Sequence, residues 1–353
     1  MAKKLLSVWL SLTIFLFSSI SIYADEVVQS DFFLKNIVIN GESIVNYQLD
    51  NPFLIYDDRV YIPMDTEIGN IMGFEAEMDH ESRTLKILKT DPVQRNVSDR
   101  SVKNNLEQVS ATVRTDIQVV MYTEEVPEQA EIQSPRLDAH PLDLMGQPLL
   151  VRDGVVYVPL NTMASGGAFG WTTHYETYFG ICVSTDAGTE AYSYYSAAES
   201  DRVRGLASYI VSQNSSLAMF EAANMVRYFE AYGAINGVDP QLLMAVANCE
   251  SMYHPEVVNS SNCVGLMQIK VSTGNSYGFT KEQLLQVKPN IEMGSIYLGE
   301  ALAEFGGDRV KALSSYNWGI WGVKKGSYNT KYADKVLSRY SAIDSFLRAG
   351  GYV

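Results

Sequence analysis

Asn51–Thr66 reads NPFLIYDDRVYIPMDT, and Gln147–Thr162 reads QPLLVRDGVVYVPLNT. The two stretches align without a gap at an offset of 96 residues. The pairs Pro52/Pro148, Leu54/Leu150, Asp57/Asp153, Val60/Val156, Tyr61/Tyr157, Pro63/Pro159 and Thr66/Thr162 coincide. Each copy has a short apolar, β-type run, breaks at Asp-Asp or Asp-Gly, resumes with a second such run and stops at a proline. That pattern predicts strand, two-residue turn, strand. A short helix-like stretch follows each proline. Then comes a glycine with an aromatic (Gly73-Phe74 and Gly170-Trp171) and further β-type residues, RTLKIL from Arg83 and YFGICV from Tyr178. An internal repeat of this kind predicts two copies of one small α+β unit, over residues 30–91 and 113–186.

The P-x-L-x-x-D-x-x-V-Y-x-P hairpin resembles the domain first described at the N-terminus of copper amine oxidases. In that family it forms a small antiparallel sheet against a helix. The resemblance does not extend to copper: His80, His140, His174 and His254 are the only histidines, and none is paired at ligand spacing. No metal and no cofactor is expected.

Outward from the repeats, Lys3 and Lys4 precede an apolar run from Leu5 to Ile22, and IYA precedes Asp25. Residues 1–24 therefore read as a signal peptide, with an uncleaved anchor helix as the alternative. The protein is expected to be secreted or wall-associated, outside the cytoplasm. The formal charge of −14 is uneven: residues 238–353 hold 11 Lys+Arg and 10 Asp+Glu, so the acidity lies in the first part of the chain. Nucleic acid is excluded as a partner on that distribution. Cys182, Cys249 and Cys263 are too few for a disulfide-built scaffold. A Cys249–Cys263 bridge and small buried thiols both remain open. Residues 187–215 read as a linker. Its AYSYYSAAES, from Ala191, reads as a connecting segment or the exposed face of a helix starting near Ala197, rather than as an aromatic binding strip.

From residue 216 to 348 the periodicity becomes helical. VDPQLLMAVANCES opens with Asp239 as N-cap and Pro240 in the first helical position. Glu250 falls on the last turn of this largely apolar helix, because YHP after Met252 breaks it. A carboxylate buried there, at the negative end of the helix dipole, has a raised pKa and suits a general acid. By spacing alone, a surface glutamate in a salt bridge is the commoner reading, since structural carboxylates outnumber catalytic ones.

The order Glu250-Ser251, Gly265-Leu266-Met267-Gln268, Asn290-Ile291-x-x-Gly294-x-x-Tyr297-Leu298 and Ala312-Leu313-x-x-Tyr316-Asn317-x-Gly319 resembles the soluble lytic transglycosylase family. The resemblance covers residues 220–345. It implies an all-α lysozyme-like domain, so the whole chain is expected to be multidomain α+β: two small antiparallel-sheet-plus-helix units, then this domain. It implies that Glu250 is the catalytic acid/base. Ser251, Met267 and Gln268 would line the glycan cleft, Tyr316 and Asn317 would flank the glutamate, and Tyr332 would close the far wall. Asn259 stands where many members have a serine facing the sugar's N-acetyl group. Trp318 and Trp321 depart from the usual Y-N-A-G-P-G; a sugar-stacking platform and core packing both remain open. Lys270 and Val271 also depart from the family pattern.

Most glycosidases need two carboxylates. The resemblance implies one, with the substrate's own acetamido oxygen and 6-hydroxyl supplying the rest. The expected reaction is cleavage of the MurNAc–GlcNAc β-1,4 bond in peptidoglycan with formation of a 1,6-anhydroMurNAc end. A goose-type muramidase and a non-catalytic glycan-binding protein are the alternatives. The repeats are expected to act as a spacer or to meet a cell-envelope protein, and deletion of residues 25–215 is expected to leave activity.

Overall fold

The structure is a computed structural model and describes residues 26–104, 106, 108–125, 136–165 and 169–353. The expected signal peptide, residues 1–24, lies outside the described residues. The first repeat copy runs β1 (Glu26–Phe32), β2 (Asn36–Ile39), β3 (Glu42–Ile44), β4 (Leu54–Tyr56), β5 (Arg59–Pro63), α1 (Thr66–Met72), β6 (Phe74–Asp79) and β7 (Thr84–Lys89). The second repeats that order: β8 (Val109–Arg114), β9 (Gln118–Glu125), β10 (Arg136–Pro141), β11 (Leu149–Arg152), β12 (Val155–Pro159), α2 (Leu160–Ser165), β13 (Thr172–Glu176) and β14 (Gly180–Ser184). Each copy thus begins upstream of its expected boundary.

The predicted hairpins form as read. Tyr56 pairs Arg59 and Arg152 pairs Val155, with two-residue turns between them. Asp57, Asp58, Asp153 and Gly154 all take the left-handed conformation that such a turn requires. The copies do not stand apart as two units, however. A closed barrel runs β1-β4-β5-β12-β11-β8, and two flanking sheets run β10-β9-β7-β6 and β3-β2-β14-β13. Every sheet draws strands from both copies, so the expected two separate sheet-plus-helix units are one interlocked domain. Nor is it wholly antiparallel: β2 pairs β14, and β7 pairs β9, in parallel.

The cause lies in the repeat itself. At the central seam Tyr61 faces Pro159, Ile62 faces Val158 and Pro63 faces Tyr157. Only Ile62 meets its own counterpart, Val158, and the two flanking pairs mirror one another, which puts a local two-fold axis between Ile62 and Val158. The alternation that sends Leu54, Tyr61, Leu150 and Tyr157 into the barrel interior sends Ile62 and Val158 to the opposite core. Gly180 permits the strand exchange, since a Cβ there would lie 2.2 Å from Asn36 O.

The helical domain starts earlier than expected. Ala197–Gln213 is a 17-residue helix, α3, capped by Ser196. Val203, Leu206, Ala207, Tyr209 and Ile210 are buried in the helical core. The linker reading therefore fails for residues 197–213, whose polar composition belongs to the outer face of a packed helix. Deleting residues 25–215 would strip this helix from the core.

Next come α4 (Met219–Ile235) and α5 (Pro240–Ser251), then a two-stranded ribbon of β15 (Cys263–Val264) and β16 (Ile269–Lys270). The short α6 (Val271–Ser276) and α7 (Lys281–Leu284) precede α8 (Val287–Glu304), α9 (Arg309–Trp318), α10 (Ile320–Lys324) and α11 (Lys331–Ala349). α5 sits at the centre, against α4, α8 and α11.

The two domains meet at α4. Ala231 and Ile235 pack on the barrel core. Arg227 is 4% exposed. Its guanidinium donates to Tyr178 O, to Phe179 O at 2.7 Å, to Asn36 Oδ1 at 3.3 Å and to Glu230 Oε2 at 2.9 Å. Charge-assisted bonds of this kind, buried and several at once, hold the interface in one geometry.

Candidate active site

Asp239 starts α5 as the sequence predicts, accepting from Gln241 N at 3.0 Å with Pro240 behind it. The helix ends at Met252 and Tyr253, both left-handed. Tyr253 is fully buried and donates to Met244 O at 3.0 Å, so the reversal is anchored from inside. Glu250 therefore stands on the last turn, half-buried, where the chain leaves the helix.

Tyr332, on the first turn of α11, donates its hydroxyl to Glu250 Oε1 at 2.5 Å. The Tyr316 and Tyr332 rings lie parallel, 2° apart in tilt and 6.1 Å between centroids. Tyr297 meets Tyr316 edge-on at 5.6 Å. Tyr316 donates to Met267 O at 3.0 Å, which ties α9 to the loop before β16. Burial raises the Glu250 pKa, and the Tyr332 hydrogen bond and the Lys335 charge pull against it without reversing it. Burial also lifts both tyrosine hydroxyls well above their ordinary range, with the Glu250 charge adding to the effect.

The nearest acid in sequence, Glu256, is exposed and lies 3.4 Å from His254 Nδ1. Among the described residues no cluster of three or more His, Cys, Asp or Glu could hold a metal ion. A single partly buried carboxyl can hold and return one proton near neutral pH. That is the chemistry this arrangement offers.

Several expected cleft residues do other work. Met267 is fully buried, and a Cβ on Gly294 would come 2.4 Å from its Sδ. It is a core side chain, and only its carbonyl reaches the tyrosines. Ser251 is buried and donates to Leu266 O at 2.6 Å, fastening the end of α5 to the following loop. Gln268 is 9% exposed and left-handed. Its Nε2 donates to Val257 O and Gly265 O, both at 2.9 Å. Asn259 is exposed, and its Oδ1 accepts from Ser261 N at 2.9 Å and Cys263 N at 3.0 Å. Asn317 is exposed at the end of α9. The structure thus brings Glu250, Tyr316 and Tyr332 together, while Ser251, Met267, Gln268 and Asn259 shape the loop behind them.

Of the two readings left open for Cys249 and Cys263, the structure shows free thiols and no bridge. Asparagine and glutamine hydrogen bonds close that loop instead. Trp318 and Trp321 are 46% and 73% exposed, which removes the core-packing reading.

Two contributors had no role assigned to them in the sequence, although Asn290 stands in one of the quoted blocks. Asn290 is fully buried. Its Oδ1 accepts from Met267 N at 2.7 Å, and its Nδ2 donates to Val264 O at 3.0 Å and Leu284 O at 2.6 Å. Gly265 exists to admit it, since a Cβ there would lie 2.3 Å from Asn290 Nδ2. The other is Lys335, whose signal was its i+3 spacing from Tyr332 on a helix.

Residues 227–337 match the Transglycosylase SLT domain family. The 70 kDa soluble lytic transglycosylase of Escherichia coli is similar at 20% identity and a TM-score of 0.33, over 42% of this chain and 30% of that one. An inactive mutant of the lytic transglycosylase Slt from Pseudomonas aeruginosa is similar at 21% identity and a TM-score of 0.31, over 34% of this chain and 24% of that one. The chain spans less than a third of the length of either protein. The part of the molecule that carries Glu250, Tyr316 and Tyr332 thus lies within the stretch that matches the Transglycosylase SLT domain, from within α4 to within α11.

Proposed function

We propose that the protein is an exported peptidoglycan lytic transglycosylase with Glu250 as its general acid and base. The observation that carries this reading is a solitary half-buried carboxyl, held by Tyr332 inside the matched domain, with burial keeping it protonated above the ordinary carboxylate range.

In the proposed reaction, the Glu250 proton passes to the bridging oxygen as the bond from MurNAc C1 breaks, and GlcNAc O4 leaves as a hydroxyl. The acetamido carbonyl oxygen of MurNAc supports C1 while that bond is open. Glu250, now a carboxylate, takes the proton of the MurNAc 6-hydroxyl as O6 bonds to C1. The proton is returned, the 1,6-anhydro ring is closed and no water is consumed. A hydrolase would need a second group to hold water, and Glu256 faces His254 instead. Tyr332 donates to the carboxylate oxygen and so steadies Glu250 in the half of the cycle when it is charged.

The repeat domain is proposed as a wall-proximal spacer resembling the N-terminal domain of copper amine oxidases, fixed to the catalytic part through Arg227. The fragment to test for independent activity starts before Ala197, so that α3 is kept.

Mass spectrometry of isolated peptidoglycan digested by wild type and by Glu250→Gln tests the reading. Anhydro-muropeptides from the wild type and none from the variant are expected. Reducing ends would instead point to a muramidase. Wall binding without any soluble fragment would make the domain a glycan-binding module.

A further inference from the structure

The geometry points to Lys335 as the positioning residue that sets the charge environment of Glu250. It lies one turn after Tyr332 on α11, so the two side chains share the face turned toward the end of α5. Tyr332 takes the Glu250 carboxyl, and Lys335 Nζ donates to Cys249 O at 3.2 Å, on the residue just before it. That carbonyl is among the last of α5, where helical partners run out and a cation is favourable. One ammonium thus caps the catalytic turn and stands beside its carboxyl.

The other groups facing Glu250 cannot replace it. From α9 comes Tyr316, and from α11 Tyr332, both buried phenols held neutral far beyond the working range. On its own helix is Cys249, whose thiol burial also pushes up. Arg339, a turn beyond Lys335, is directed to the Cys249 thiol. Lys335 is exposed, so its replacement removes charge without opening the core.

This inference rests on Glu250 acting as the acid, and its test separates the two. Turnover of isolated peptidoglycan is measured against pH for wild type, Lys335→Met and Lys335→Arg at low and high salt. Without the ammonium Glu250 holds its proton to higher pH. The alkaline limb of Lys335→Met is therefore expected to move up, leaving it roughly threefold more of its maximal rate one unit above the wild-type limb. Lys335→Arg should restore the limb, and salt should narrow the gap between Lys335→Met and wild type. A Lys335→Met limb superimposed on wild type at low salt overturns the proposal, whatever happens to the maximal rate. Should the wild type release no fragments, the functional reading fails. The Glu250 carboxyl titration, read by carbon NMR as wild type minus Glu250→Gln, then still tests Lys335. An unmoved titration in Lys335→Met overturns it there too.

Discussion

Tyr61 and Tyr157 in the β domain, and Tyr316 and Tyr332 in the helical domain, are two pairs of tyrosines packed into cores. Burial raises the hydroxyl pKa of all four, to about 12 for Tyr61 and for Tyr157. The first pair comes from the same repeat position, fills the barrel beside Leu54 and Leu150, and sends the Tyr61 hydroxyl to Pro148 O at 3.2 Å. The second pair stacks in parallel and sends one hydroxyl to the Met267 carbonyl and the other to Glu250. A perturbed tyrosine therefore does not mark a site. What separates the pairs is the carboxyl, which has a titration the burial can exploit.

The largest expected effect breaks the pairs apart at that carboxyl. Glu250→Gln should lower turnover about 10³-fold or more without loss of folding, because it removes the transferable proton and keeps the shape. Next, Asn290→Ala should cost about 2–4 kcal/mol by urea denaturation, since Met267 N, Val264 O and Leu284 O lose their buried partner together. Turnover should fall with it, as the loop under Tyr316 loosens. The tyrosines themselves give a smaller, opposed result. Tyr332→Phe should lower turnover about tenfold, a charge-assisted bond being lost. Tyr61→Phe should cost about 1 kcal/mol of stability and leave turnover unmoved. Equal effects of both on turnover would erase the distinction.

The smallest effect is a stability one. Glu250's folded pKa is raised, so its favourable contribution is complete below the ordinary carboxylate range and is lost as pH rises through the folded value. Glu250→Gln cannot ionise. Its melting temperature should exceed that of wild type near neutral pH, with the gap closing as pH falls toward about 4.

The legible parts of the sequence were those governed by local rules. The two-residue turns, the Asp239-Pro240 helix start and the end of α5 after Glu250 follow from backbone preferences a few residues long. The repeat was equally plain, but its partners were not. An alternating strand states which face is buried and says nothing about which strand lies beside it, so the exchange of β2 and β9 between copies was invisible. A helix starting near Ala197 was one reading of the sequence, but its place in the helical core was not legible because its core contacts are spread over a polar-looking face. At the site, Glu250 and Tyr332 could be placed from the motif order. That Met267, Ser251 and Gln268 are buried in the loop behind Glu250 could not be read, because nearness in sequence does not distinguish a cleft wall from the loop supporting it. Asn290's three bonds reach across 6 to 26 residues, beyond any local pattern.

The strand exchange has a consequence for how the chain folds. β2 waits for β14, and Asn36 cannot meet Gly180 until 144 further residues have been delivered. Contacts so distant in sequence form late and slowly, and until they do the first copy carries unpaired strand edges prone to joining other chains. Glu75, Glu77 and Asp79 along β6, which remains an edge of its sheet, guard one such border with charge. The repeat that makes the domain easy to recognise makes the first copy wait for the second.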